Sequence, residues 1–263
     1  MQQTVLKLDS VTHYFGGLRA VCDFNLELPE GALWGLIGPN GAGKTTIFNL
    51  ITGVYVPTKG KIYFYGEDIT KYRPHQVVEK GIARTFQNLR VFGTLTVLDN
   101  IRIAGHYRMK YGIFDSILRT PAYYGEEKSL NEESLQLLEI FNLKDKAYMP
   151  AKALPYGELR RLEIARALAT HPKLLLLDEP AAGMNPKEVA DLMEMIVWIR
   201  DHFKVTIYLI EHHMKVVMGI CERIKVMDFG ETIAEGTAEE VQNNPRVIEA
   251  YLGRKWNVKS EQS

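Results

Sequence analysis

Gly38-Pro39-Asn40-Gly41-Ala42-Gly43-Lys44-Thr45-Thr46 has the spacing of a phosphate-binding loop: a glycine, four residues, then Gly-Lys-Thr. Glycines let successive amides turn inward around a chain of phosphates. The spacing puts the Lys44 ammonium on the β- and γ-phosphates. The Thr45 hydroxyl would complete the oxygen shell of a Mg²⁺ ion. Asp178-Glu179 follows four consecutive leucines, Leu174 to Leu177. One carboxylate there can serve the metal, and the other can polarise a water for attack on the γ-phosphate. Glu211-His212-His213 follows a second apolar run, Val205 to Ile210. A histidine in that place can hydrogen-bond a γ-phosphate. As metal ligands the adjacent pair is a poor match, because neighbours on an extended chain face opposite ways. Gln87 ends the run Ile82-Ala83-Arg84-Thr85-Phe86. Its amide oxygen can reach Mg²⁺ or the attacking water; a solvated strand end explains it equally well.

Such groups need elements that bring them to one place. Leu33-Trp34-Gly35-Leu36-Ile37 reads as a buried strand leading into the loop. Thr46 to Ile51 reads as a helix stopped by Gly53, its N-terminus aimed at the phosphates. The leucine run fits a strand buried on both faces, and such strands end at the ligand edge of a parallel sheet. Upstream, residues 4–35 alternate as short strands. Tyr14-Phe15-Gly16-Gly17 offers an aromatic that either stacks on a nucleotide base or fills the core beside a turn. Residues 61–65 predict a strand, 74–80 a short helix and 82–87 a strand. From about 92 to 152 strand patterns vanish. One helix is expected around Leu95–Ile101, and another around Leu130–Ile140 with Asn131 as its cap. The aromatic-rich stretch Tyr111–Tyr124, broken by Gly112, Pro121 and Gly125, either forms a docking surface or closes a small core. The pattern therefore predicts a helical subdomain inserted into an α/β core. Helices are expected over 158–170 and 186–203, and Asp228-Phe229-Gly230-Glu231 signals a hairpin. Residues 238–252 predict a small helical patch, followed by a frayed end.

Composition narrows the class. Lys+Arg and Asp+Glu both number 32 in 263 residues, so the formal charge is zero, which argues against a general nucleic-acid binder. Two isolated cysteines, Cys22 and Cys221, make neither a disulfide framework nor a Cys-rich zinc site. The start Met1-Gln2-Gln3-Thr4 does not read as a signal peptide, and no apolar run reaches membrane-spanning length.

The order of motifs resembles the ATP-binding subunits of ABC transporters over residues 5–253. The resemblance narrows at Tyr14 to Val21, Arg84 to Gln87, Arg160 to Ala167, Asp178 to Pro186, and Asn243-Asn244-Pro245 through Ala250-Tyr251-Leu252-Gly253. These stretches look like the LivG-type branch, which serves branched-chain amino acid import; the lipopolysaccharide-export ATPase is a close relative. The resemblance implies an α/β fold: a P-loop NTPase (RecA-like) core with an N-terminal antiparallel β subdomain and an inserted α-helical subdomain. It divides the chain into a core (1–91 and 159–236), a helical subdomain with the signature (92–158) and a C-terminal extension (237–263).

It also assigns roles. Gly38, Pro39, Asn40, Gly41, Ala42, Gly43, Lys44, Thr45 and Thr46 form the ATP loop. Phe15 is the aromatic on adenine, with Tyr14 in reserve. Mg²⁺ falls to Thr45, Gln87 and Asp178. Glu179 is the catalytic glutamate, His212 the switch histidine, and Gln87 couples the γ-phosphate to the membrane partner. Ala182, Gly183, Met184 and Asn185 are the segment crossing a dimer interface. Leu154, Pro155, Tyr156, Gly157 and Glu158 stand where the family's Leu-Ser-Gly-Gly-Gln signature caps the nucleotide held by a partner ATPase. Pro155 departs from that pattern, removing a hydroxyl and an amide donor; His213 replaces a common Asp. The implied partners are a second ATPase subunit, in a hetero- or homodimer, and two membrane permeases. A periplasmic or extracellular binding protein acts indirectly. The implied location is the cytoplasmic face of the cell membrane. A small-molecule kinase would have no use for the 154–158 signature. A DNA-repair ATPase would carry a long coiled-coil insertion. A translation-factor ATPase would normally hold two such domains.

Overall fold

The computed structural model describes residues 3–87 and 89–251. The frayed end expected after 252, and the last part of the C-terminal extension, lie outside the described residues. The chain divides into two compact units, Met1–Arg84 with Lys173–Ser263, and Thr85–Pro172.

The first unit opens with β1 (Thr4–Phe15), β2 (Leu18–Pro29), β3 (Leu33–Ile37), α1 (Lys44–Ile51), β4 (Lys59–Phe64), β5 (Glu67–Asp68), α2 (Pro74–Lys80) and β6 (Ile82–Arg84). Two sheets result. One is antiparallel, in the order β2-β1-β4-β5. Phe24, Leu26 and Leu28 of β2 are buried in alternation, one face on the core, whereas β1 has register shifts and buries the neighbours Val5 and Leu6 together. β6 stops at Arg84, so the strand expected over 82–87 is half that length and Gln87 does not end it.

The second unit is helical: α3 (Val97–Gly105), α4 (Ile113–Leu118), α5 (Pro121–Ile140) and α6 (Tyr156–Leu168). Its core gathers Val97, Leu98, Ile101, Leu130, Leu138, Phe141 and Leu162, all nearly inaccessible. Asn131 is not a cap. α5 starts ten residues earlier, where Thr120 accepts from the Tyr123 amide and Pro121 occupies the first helical position. Proline is pre-organised there and its missing amide costs nothing, so Pro121 starts the helix rather than breaking it. Gly125 lies inside the same helix. The Tyr111–Tyr124 stretch is part packed and part exposed. Tyr111 and Tyr123 pack edge to face, with ring centroids 5.1 Å apart, whereas Phe114 is 81% exposed. α6 runs from Tyr156 to Leu168, two residues earlier at both ends than expected, with Pro155 at its N-cap.

The chain returns to the first unit as β7 (Leu174–Asp178), α7 (Pro186–Phe203), β8 (Thr206–Ile210), α8 (Met214–Ile220), β9 (Arg223–Asp228), β10 (Glu231–Gly236) and α9 (Ala238–Gln242). Residues 245–251 are again helical. The second sheet has the order β10-β9-β3-β8-β7-β6, parallel except for β10. Leu174 and Leu176 join the core cluster that also holds Phe48 of α1 and Leu6 and Ile62 of the antiparallel sheet. Leu175 and Leu177, on the other face, are equally buried. That two-sided burial is why the strand reads as an unbroken leucine run rather than an alternation. The β9–β10 hairpin turns on Phe229 (φ 45°) and Gly230 (φ 83°), the left-handed pair that a two-residue hairpin requires. No helix among the described residues is long and apolar enough to cross a membrane.

Candidate functional site

Parallel strands put their carboxyl ends on one edge of a sheet, and ligands bind there. In this sheet β3 hands over to the 38–43 loop, β7 ends on Asp178, β8 is followed by Glu211-His212, and β6 ends on Arg84. Residues far apart in sequence therefore meet because their strands pair.

The loop is shaped by glycines that no other residue could replace without strain. Gly38 has φ 154°, and a Cβ on it would lie 2.1 Å from the Met227 carbonyl oxygen. Gly43 has φ 102°, and its Cβ would lie 2.5 Å from the Ala20 carbonyl oxygen. α1 then begins with no side-chain cap and no acidic residue in its first turn. By contrast, α7 and α9 carry complete capping boxes. A helix start left uncapped, with its amides facing a glycine loop, suits a polyphosphate anion. Lys44 is buried, and its ammonium donates to the carbonyls of Gly38 at 2.7 Å and Pro39 at 3.0 Å. The cation is thus folded over the loop it would share with a phosphate.

The acid pair stands opposite. Asp178 is 2% exposed, and Arg84 donates to it at 2.6 Å. The same guanidinium reaches Asn49 Oδ1 at 2.7 Å and sits over the Phe48 ring. Burial pushes the Asp178 carboxyl above its ordinary range, against the pull of Arg84. Glu179 holds a left-handed backbone (φ 48°), while its amide donates to the Ile210 carbonyl at 2.9 Å. Such a conformation in a non-glycine residue is costly and tends to persist at functional sites. His212 Nδ1 lies 3.4 Å from Glu179 Oε2.

Glu211 organises this corner. It is fully buried and accepts from the Ala181 amide at 2.8 Å through one oxygen. Through the other it accepts from the amides of His212 at 3.1 Å and His213 at 3.3 Å, with His213 Nδ1 3.2 Å away. The chain turns here rather than running extended. The two imidazoles therefore sit side by side, with centroids 4.3 Å apart, and not on opposite faces as expected. One ligand atom each from Glu211, His212 and His213 falls within 4.8 Å. Glu211 is already committed to its amide donors, so the cluster is a hydrogen-bonded corner. Glu211 and Arg84 were not singled out from the sequence as site residues. The signal was available: each ends an apolar run on a charge, as Asp178 does.

Tyr14 and Phe15 are 39% and 42% exposed, which removes the core-aromatic reading. Phe15 is held edge-on by His13 and Tyr55, at centroid distances of 4.7 and 5.2 Å. Ala182 to Asn185 lead into α7, where Asn185 caps the helix by accepting from the Lys187 and Glu188 amides. Gln87 and Leu154 to Glu158 belong to the helical unit. There the Gln87 carbonyl accepts from Arg160 at 2.6 Å, Glu158 pairs with Lys146, and Pro155 leaves α6 without a side-chain cap.

A family model described as ABC transporter matches residues 21–182. This chain belongs to the ABC transporter family. A second model, described as branched-chain amino acid ATP-binding cassette transporter, matches residues 231–256 of this ABC chain. It is 46% identical over 253 residues to the high-affinity branched-chain amino acid transport ATP-binding protein LivG of Salmonella typhimurium, covering 96% of this chain and 99% of that one. It is 45% identical to BraF of Pseudomonas aeruginosa over the same shares. A solved ATP-binding cassette of an ABC transporter in its ADP conformation superposes with a TM-score of 0.82 and 31% identity, over 95% of this chain and 99% of that one. The P-loop NTPase fold that the resemblance implies is therefore the fold observed, and the chain is an ATP-binding, ATP-hydrolysing cassette.

Proposed function

We propose that this cassette is the ATP-hydrolysing subunit of an importer for branched-chain, hydrophobic amino acids. It would sit peripherally at the cytoplasmic face of the membrane, against two permease subunits. The observation that carries the reading is the convergence of the 38–46 loop, Asp178-Glu179 and His212 on one sheet edge, in a chain similar over nearly its full length to LivG and BraF. The match of a branched-chain family model at 231–256 favours import over lipopolysaccharide export.

Phosphates of ATP bind the loop and the first-turn amides of α1, and Lys44 leaves its own carbonyls for them. Phe15, steadied by His13 and Tyr55, stacks on adenine. Thr45 and Asp178 would hold Mg²⁺, which would neutralise phosphate charge. Glu179 orients the attacking water and takes up its proton. His212, beside Glu179, donates to the transferring phosphoryl group. Two such cassettes close head to tail, each 154–158 signature capping the other's nucleotide, with 182–185 crossing between them. The 92–158 helical subdomain carries that closure to the permease.

Glu179→Gln tests the mechanism. Turnover should fall by roughly 10²–10⁴ while ATP binding stays intact; unchanged turnover removes Glu179 from its role. Proteoliposomes holding the cassette with its permeases and binding protein should take up leucine on ATP addition. Uptake of another cargo class would leave the ATPase reading standing and overturn the substrate.

A further inference from the structure

α4 hides none of its large apolar side chains. Ile113, Phe114, Ile117 and Leu118 are 78, 81, 72 and 72% exposed. At 3.6 residues per turn these four positions fall within one arc of roughly 140°. Yet the helix is fixed from within. Asp115 accepts from the Gly112 amide at 3.1 Å and from the Thr120 hydroxyl at 2.9 Å, and Ser116 donates to the Gly112 carbonyl at 3.1 Å. The polar residues are used up in holding the turn, so the apolar strip is presented on a formed helix.

The charges around the strip differ in how they are engaged. Lys110 and Arg119 bracket α4, both exposed, and among the described residues neither side chain has an ion-pair partner. The nearby acids stay anionic, but other donors hold them. Asp115 holds the turn, Glu126 accepts from the Lys110 amide, Glu127 binds Arg102 and Tyr111, and Glu133 binds Arg108 and His171. Tyr124 is 57% exposed beside Tyr123, and Tyr107 is 43% exposed. An apolar strip with Phe, Ile and Leu, flanked by free cations and amphipathic tyrosines, has the composition of a helix that lies in a bilayer interface.

We propose that α4 seats on the bilayer surface, with its four apolar side chains among the acyl–headgroup boundary and Lys110 and Arg119 on anionic headgroups. A purely apolar protein pocket would satisfy the strip and leave both cations without a counter-charge. The paired free cations are what an anionic lipid surface complements. This contact would tether the helical unit to the membrane independently of any permease. It depends on the transport reading only for its setting.

The test is flotation of the full chain with phosphatidylcholine vesicles, with and without phosphatidylglycerol, in the absence of nucleotide and permease. Wild type should float with anionic vesicles, less so with neutral ones, and less as salt rises. Phe114→Asp with Ile117→Asp should reduce flotation at least tenfold. Lys110→Glu with Arg119→Glu should remove the anionic preference. Both double variants should keep wild-type thermal midpoints and basal ATP hydrolysis, which shows them folded. Flotation equal in wild type and the apolar-strip variant, or absent in both, overturns the proposal. Lipid-free capture of detergent-solubilised permease, lost on the same substitutions while vesicles bind nothing, would assign the strip to the permease instead. None of these outcomes touches the ATPase chemistry, so failure here and failure of the importer reading are separable.

Discussion

A single buried carboxylate decides how the proposed catalytic corner is held. Glu211 joins the residue after Asp178-Glu179-Pro180 to the backbone of both histidines, so it fixes the distance between Glu179 and His212 without touching a nucleotide. In Glu211→Gln the carboxamide keeps one acceptor oxygen, which can serve Ala181 or the histidine amides but not both. A hydrogen bond to a charged group is worth about 1.5–3 kcal/mol, and about 1.4 kcal/mol is a tenfold change in rate. Turnover should therefore fall about tenfold or more with the KM for ATP little changed, as steady-state kinetics will show. A proportional rise in KM alone would mean that Glu211 serves binding instead. Cys221 gives a second prediction at this scale. Burial pushes its thiol up to about 12. At pH 8 only about one molecule in 10⁴ would carry the thiolate, the reactive form. A Cys22→Ser variant should resist alkylation until it is unfolded, whereas rapid native labelling would show the strand–helix packing around Cys221 to be open. Single residues were legible in sequence where a motif fixed several at once, as in 38–46 and 178–179. Arg84 and Glu211 show only a charge at the end of an apolar run; their roles come from the partners the fold supplies.

Elements were legible where their ends carry chemistry of their own. α7 could be placed at Pro186–Phe203 because Pro186 is pre-organised for a first turn and an apolar stripe follows. Sequence pattern places α5 too late because Asn131 resembles a cap, while Thr120-Pro121 is the stronger start. The helix continues through Asn131 on tertiary packing of Leu130, Leu137 and Leu138. α6 has the opposite character: its N-cap is Pro155, which gives its first turn no side-chain acceptor. Pro155→Ser weighs two opposed effects. A capping hydroxyl adds about 1 kcal/mol, and losing proline's restriction of the unfolded chain removes about 0.4–1 kcal/mol. Stability in urea should barely move. ATP-driven association of two cassettes should strengthen, because Ser restores a hydroxyl and an amide at the proposed signature. Sedimentation with ATP on a Glu179→Gln background reads this directly. A change in stability without one in association would make Pro155 a structural cap only.

At the scale of the whole chain, the site exists only because distant segments pair. β3 meets β8, and β8 meets β7, so the loop after Ile37, the acids at 178–179 and the histidine at 212 share an edge. No local pattern states that adjacency. It follows from reading each apolar run as a parallel strand ending at the ligand side. All of these groups lie in the first compact unit, whereas Gln87 and 154–158 lie in the second. ATP binding to an isolated subunit should therefore stabilise the two units unequally. At about a hundred times Kd the ligand adds roughly 2.7 kcal/mol. For a chain of this size that is a rise in thermal midpoint of about 5–10 °C. Hydrogen exchange at protein concentrations too low for dimerisation should slow in 33–51, 174–182 and 205–213, and change little across 97–168. Lys44→Ala should abolish both effects, because it removes the one cation inside the loop. Equal protection across the two units in a monomer would mean that the nucleotide is read by the helical unit before any partner arrives, and that the signature's role does not wait for a dimer.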